Sequence, residues 1–132
     1  MSYQELALTD DLSYTVPTKI NENFRLRAFL NTSAQTATFT VWADDGTGSP
    51  KDIYLVTTGS SAITANLPAA GSAYLGRVVT IMKVDAGSGA VTIDGNASET
   101  INGATTVAIP ATQFHYRTIM CDGSNWVVIS SS

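Results

Sequence analysis

Charge is what this sequence has least of. Asp, Glu, Lys and Arg make up 14% of its 132 residues, against roughly 25% in ordinary soluble domains. The seven Lys and Arg are scattered, and the net charge is −4. Binding to a phosphate backbone needs clustered positive charge, so nucleic acid is not an expected partner. There is one cysteine, Cys121, which excludes an internal disulfide. It lies in an apolar strand pattern and reads as a small buried hydrophobe. No apolar run approaches the about 18 residues that a membrane-spanning helix needs, so membrane insertion is not expected. The opening Met1-Ser2-Tyr3-Gln4-Glu5 lacks the basic start and apolar stretch of a signal peptide, which points to synthesis in a cytoplasm.

Thr, Ser, Ala, Asn and Gly fill the place of the missing charge. Such a weakly charged surface suits a β-rich module that hides part of itself against partners. The length fits one domain with a short appendage.

The first fifty residues differ from the rest. Pro17-Thr18 opens a helix expected over 18–30, with Thr18 as N-cap and Glu22 near the positive end of the helix dipole. Ile20, Phe24 and Ala28 form one stripe, widened by Leu26, Phe29 and Leu30. A lone helix of this length is marginal in water, so it must dock on something. Thr36 to Trp42 alternates as a strand. The segment Asp44-Asp45-Gly46-Thr47-Gly48-Ser49-Pro50 then marks a boundary near residue 50. The expected organisation is an N-terminal anchoring segment, 1–50, and a β-module, 51–132.

Within 51–132, short β-patterned runs alternate with Gly, Asp, Asn and Ser turns. The expected strands are 52–58, 62–67, 77–84, 90–93, 100–101, 105–109, 113–121 and 126–130. That spacing predicts a mostly β fold, a small antiparallel β-sandwich or barrel-like module. Arg77 to Val84 is apolar on both faces, which implies burial on both sides. Val79, Ile81, Ile119 and Trp126 are therefore expected at an oligomer interface, since closed homo-oligomers commonly cover such faces.

Residues that could carry chemistry are few. His115 has no partner at the spacing of a metal site or a nucleophile–base pair. Asp85, Asp94 and Asp122 sit beside or near Gly, but the spacing of a calcium loop is absent, so they read as turn residues. Gly87-Ser88-Gly89 lacks the Lys-Ser/Thr of a phosphate loop. No catalytic residue, metal or cofactor is expected, and the chain does not read as an enzyme. Trp42, Tyr54, Tyr74 and Tyr116 are candidates for stacking on a glycan, because sugars pack on aromatic faces.

Five pieces of sequence occur in a fixed order. A strand ends in Leu67-Pro68. Gly76-Arg77 opens an apolar strand that closes on Lys83. Val91-Thr92-Ile93-Asp94, Glu99-Thr100-Ile101-Asn102-Gly103 and Asp122-Gly123-Ser124-Asn125-Trp126 follow. Together they resemble a β-module of structural proteins in tailed bacteriophages, especially head-fibre and tail-fibre proteins. The segment Pro17-Thr18-Lys19-Ile20-Asn21-Glu22-Asn23-Phe24 is similar to N-terminal segments that dock such proteins on the particle. The resemblance implies a homotrimeric virion protein, made in the host cytoplasm and attached to capsid or tail proteins. Ile20, Phe24, Leu26, Phe29 and Leu30 would then contribute to the anchor. It implies neither enzyme activity nor a cofactor. Because the module makes up most of the chain, a short head fibre, spike, decoration protein or adaptor fits better than a long tail fibre. A carbohydrate-binding module is the competing reading, with a host-surface glycan as partner.

Overall fold

From β1 to β6, successive strands do not pair with each other; they alternate between two sheets. The computed structural model describes residues 30–43 and 51–132, and Asn31–Ser132 form one compact unit. The strands are β1 (Thr32–Gln35), β2 (Phe39–Thr40), β3 (Ile53–Val56), β4 (Ile63–Asn66), β5 (Val78–Lys83), β6 (Val91–Asp94), β7 (Thr106–Ile109), β8 (Tyr116–Cys121) and β9 (Trp126–Ser131). One sheet has the order β1-β3-β5-β8-β9 and the other β2-β4-β6-β7.

From β1 to β6 the chain makes three arches, each leaving a strand of the first sheet and entering the second. The arches stack in parallel: Thr32 pairs Ile53 and Ile53 pairs Thr80 in one sheet, while Phe39 pairs Ala65 and Ala65 pairs Ile93 in the other. The last part of the chain changes polarity. β7 returns antiparallel to β6, β8 pairs antiparallel with β5, and β9 with β8, with a bulge between Thr118 and Ile119. The mostly β expectation holds, but the sheets are mixed rather than antiparallel. The turns after β1, β3 and β5 cross the sandwich instead of closing hairpins, so each strand meets its neighbour two strands later.

The domain boundary also differs from the sequence expectation. β1 and β2 are edge strands of the same two sheets as the rest, paired with β3 and β4. The compact unit therefore begins at Asn31 and not near residue 50. The expected helix over 18–30 lies outside the described residues except for Leu30, which is not helical.

Alternation along each strand sends every second side chain between the sheets. Tyr54, Val56, Val79, Ile81, Ile119, Cys121 and Trp126 enter from the first sheet; Ile63, Ala65, Val91, Ile93 and Ile109 enter from the second. All are buried, so Cys121 is a core residue as its apolar context indicated.

The two outer faces are unlike. The second sheet shows Thr64, Asn66, Thr92, Asp94, Thr106 and Ala108. The first shows Ile53, Leu55, Val78, Met82, Met120 and Val127, all half-buried except Val78, which is exposed.

This architecture makes a graded prediction. Ile81→Ala opens a cavity at a fully buried site and should cost about 2–5 kcal/mol of unfolding free energy in urea titrations. Thr92→Ala, on the polar outer face, should stay within about 0.5 kcal/mol of the parent.

Candidate functional site

The turns of the second and third arches are fastened by a single carboxylate. Asp85 follows β5 and accepts from the backbone N–H groups of Thr58 (3.0 Å), Gly59 (2.8 Å) and Gly87 (3.1 Å). Its Oδ1 also takes a charged hydrogen bond from Lys83 Nζ at 2.7 Å. The Lys83 side chain ends the inner face of β5 and is fully buried, and its ammonium donates a second hydrogen bond to the Asp85 carbonyl at 2.8 Å. A buried ammonium costs several kcal/mol unless it is paired. Lys83 and the N–H groups of Thr58, Gly59 and Gly87 hold the Asp85 carboxyl well below its ordinary value of 3.8, against a smaller opposing effect of burial. Side chains are excluded where the turns nest. A Cβ on Gly87 would collide with the Gly59 carbonyl, and one on Gly89 with that of Ser61.

A second cluster gathers aromatic rings. Trp42 stacks on Tyr74 with ring centroids 5.3 Å apart and lies tilted against Trp126 at 5.9 Å. The Arg77 guanidinium sits 4.6 Å from the centre of the Trp42 ring, a cation–π contact. Trp42 adopts a left-handed backbone conformation, φ 56°, which costs a non-glycine residue about 1–3 kcal/mol. Two hydrogen bonds hold it there. Its backbone N–H donates to the Tyr54 hydroxyl at 2.7 Å, and its indole N–H to the Lys51 carbonyl at 2.7 Å.

Beside this cluster two of the ordered sequence pieces interlock. Glu99 accepts from the Ala70 N–H at 2.9 Å and from the Trp126 indole N–H at 3.3 Å. Asn125 Oδ1 accepts from the Thr100 N–H at 2.8 Å, and Asn102 Oδ1 from the Val128 N–H at 2.9 Å. The Trp126 backbone donates to the Thr100 carbonyl, and Asn102 donates to that of Trp126. The loop between β6 and β7 is thus clasped to β9, closing one sheet onto the other. Asp122 shapes the turn before β9 by accepting from the N–H groups of Asn125 (2.7 Å) and Ser124 (2.9 Å). Those two bonds lower its pKa.

The residues singled out from sequence fall into different places. Val79, Ile81, Ile119 and Trp126 do not lie at an open surface: each is at most 1% exposed in the single chain. The layer expected from a neighbouring copy is supplied by the second sheet of the same chain. Tyr54 is 4% exposed, and its ring stacks on Phe39 at 4.9 Å, so no face is open to a sugar. Trp42 and Tyr74 are half-buried and stack on each other, and Tyr116 is half-buried on the outer face of the first sheet. Ile20, Phe24, Leu26 and Phe29 lie outside the described residues; Leu30 is exposed.

Sequence reasoning missed the roles of Lys83, Glu99 and Arg77. Lys83 carried a readable signal, a cation at an inward position of a strand with a carboxylate two residues on. His115 is half-buried, and its Nδ1 is buried without a hydrogen-bond partner. Among the described residues, no group of three or more His, Cys, Asp or Glu side chains gathers as a metal site would require. A groove of about 240 Å³ between the β1 and β2 edges is lined by Ser33, Gln35, Phe39 and Tyr54, among others. Ala43 and Lys51 also line it.

The arrangement defines a β-sandwich module whose polar side chains fasten loops and clasp sheets. Compared with known protein families and with curated proteins, the chain matches none.

The Asp85 contacts give a signed pH prediction. A carboxyl with a lowered native pKa stabilises the fold above 3.8, and that contribution is lost as pH falls below 3.8 toward the native pKa. Asp85→Asn should lower the urea midpoint at pH 7, leaving the Lys83 ammonium buried without its counter-charge. On acidification the gap between parent and variant should narrow. A gap that is the same at pH 7 and pH 3 would contradict this role for Asp85.

Proposed function

We propose that the protein is a structural component of a tailed-phage virion: a short, homotrimeric head fibre, spike or decoration protein. In this reading its N-terminal segment attaches to capsid or tail proteins, and the β-sandwich projects from the particle, where it aids adhesion to the host surface. The protein acts after assembly on the virion, and it is not an enzyme.

The observation that carries the reading is the ordered set of five sequence pieces resembling phage fibre modules. The fold gives physical support: Val91–Asp94 is β6 itself, and each of the other four pieces lies at a junction. Leu67-Pro68 follows β4, Gly76-Arg77 precedes β5, and Lys83 reaches Asp85. The Glu99–Gly103 and Asp122–Trp126 pieces form the clasp between the sheets. Residues that must cooperate to close a fold have a reason to occur together. The interior chemistry fits a structural role as well: among the described residues, Asp85 accepts from three backbone N–H groups and Lys83, and Glu99 from the Ala70 N–H and the Trp126 indole.

A carbohydrate-binding module is the second reading. It rests on the half-buried Trp42, Tyr74 and Tyr116, without Tyr54.

Attachment is tested by adding purified, labelled protein to phage particles stripped of it. The full chain should cosediment with particles, whereas a chain starting at Asn31 should stay in solution while keeping its β-type circular dichroism. Equal labelling of particles by both would contradict the anchor. Strong, selective binding of the free protein on a glycan array, lost in Tyr74→Ala, would favour the second reading.

A further inference from the structure

We propose that Arg77 and Tyr74 form a binding site for a carboxylate-bearing sugar, such as a uronic acid of a host-surface polysaccharide. The inference deepens the adhesion part of the reading above and rests on that part alone.

Three observations carry it. The first is a cation whose donors are unused. Lys83 donates to the Asp85 carboxylate and carbonyl, and Arg117 to backbone oxygens of Tyr116 and Ser132. The Arg77 guanidinium makes no hydrogen bond or ion pair among the described residues. Its partners are rings, with centres 4.6 Å away for Trp42 and 6.0 Å away for Tyr74. The Tyr74 hydroxyl also has no hydrogen-bond partner among the described residues. Both groups reach solvent, since His115 Nδ1 is the one buried side-chain nitrogen or oxygen among those residues that lacks a partner. A guanidinium presents its N–H groups as a planar fork that fits the two oxygens of a carboxylate.

The second observation is that these groups are held in place. The Arg77 N–H donates to the Tyr74 carbonyl at 2.8 Å, and the Arg77 carbonyl accepts from the Cys121 N–H at 3.0 Å. The Gly76 N–H donates to the Cys121 carbonyl at 2.8 Å, so the turn leading into β5 is tied to the end of β8. Trp42, on which both side chains rest, packs in turn against the buried Trp126. Its φ of 56° is rare for a bulky residue, and such backbone outliers collect at functional sites. Donors fixed before a ligand arrives lose little freedom when it binds.

Third, the surroundings select the ligand. Tyr74 is half-buried beside the guanidinium, and Leu75 in the same turn is 63% exposed. A uronic acid offers the matching pair, an apolar ring face of C–H groups with a carboxylate at its edge. Lys83 is buried at the other end of β5, Arg117 lies toward the other end of β8, and Lys51 lines the groove at the β1 and β2 edges. Arg77 is therefore the cation of this cluster. One guanidinium balances the single charge of a carboxylate but not the roughly two charges of a phosphate monoester. The net charge of −4 disfavours a dense polyanion.

The test is a titration of the full chain, labelled with nitrogen-15, with a trimer of galacturonic acid, with its methyl ester and with sodium acetate. The Arg77 Nε–H and Trp42 indole N–H resonances report binding, and circular dichroism reports folding. The acid should shift both resonances to saturation. The ester keeps the shape without the charge and should bind at least about tenfold more weakly. Arg77→Gln, followed at the Trp42 indole, should weaken binding of the acid by at least about tenfold. Tyr74→Phe keeps the ring stack and should weaken it about threefold, with the urea midpoint unchanged. A cluster that only braces the fold would not distinguish acid from ester.

Equal affinity for acid and ester, or parental affinity in a folded Arg77→Gln, would overturn the site. Saturation by acetate at the same concentrations would mark an adventitious anion only and overturn it as well. So would the absence of any shift with both galacturonate and N-acetylneuraminic acid. Selective binding of a neutral glycan, lost in Tyr74→Ala, would keep a carbohydrate reading and overturn the acidic specificity. Particle labelling by the same proteins separates this inference from the functional reading. A chain that labels particles but binds no acidic sugar overturns the site only, and one that binds the sugar but labels no particle overturns the virion assignment only.

Discussion

The second and third arches stack only if their turns nest at the spacing of hydrogen-bonded strands, and the Asp85 carboxylate makes that nesting possible. Parallel strands lie roughly 4.8 Å apart, so turns joining the two sheets must also pack at that distance. At the turn after β3 the backbone N–H groups of Thr58 and Gly59 point away from any strand partner, and Asp85 accepts both. It reaches forward to Gly87 and back to Lys83 with the same two oxygens. Gly87 and Gly89 then lie close enough to the neighbouring turn that any side chain there would be excluded. The ammonium buried at the end of β5 is tolerable only because this carboxylate is beside it.

The other end of the module is held by different chemistry. Where the chain abandons parallel stacking, after β6, the loop carrying Glu99 to Gly103 clasps β9 through side-chain acceptors placed opposite backbone donors. Trp126 joins three roles: core side chain, donor to Glu99, and neighbour of the Trp42–Tyr74–Arg77 stack. The sandwich is thus closed by fixed polar contacts at both ends, with an apolar layer between. Such a body suits the role proposed above, a part that must keep its shape on a particle surface.

Strand positions were legible in the sequence because alternation and turn residues report local geometry directly. β5, β6 and β9 lie within one or two residues of the runs Arg77–Val84, Ala90–Ile93 and Trp126–Ser130. Pairing was not legible, because the residues that start a hairpin also start an arch: Gly59-Ser60-Ser61 fits either, and only the register of β3 with β5 distinguishes them. The same ambiguity misplaced the interface. Arg77 to Val84 is apolar on alternate faces for different reasons, Val79 and Ile81 toward the chain's own second sheet and Val78 and Met82 outward. Once the covering layer was assumed to come from outside, the wrong half of the strand was assigned to it. Lys83 differs, since its inward position and the carboxylate two residues on were both readable in the sequence, whereas the Thr58 and Gly59 N–H groups that Asp85 also holds were not.

The measurement that bears most directly on the virion assignment is the copy number of this chain in purified phage particles, by quantitative mass spectrometry against the other particle proteins. The account predicts a fixed stoichiometry that survives density-gradient purification. A chain abundant in infected-cell lysate but absent from purified particles would contradict it.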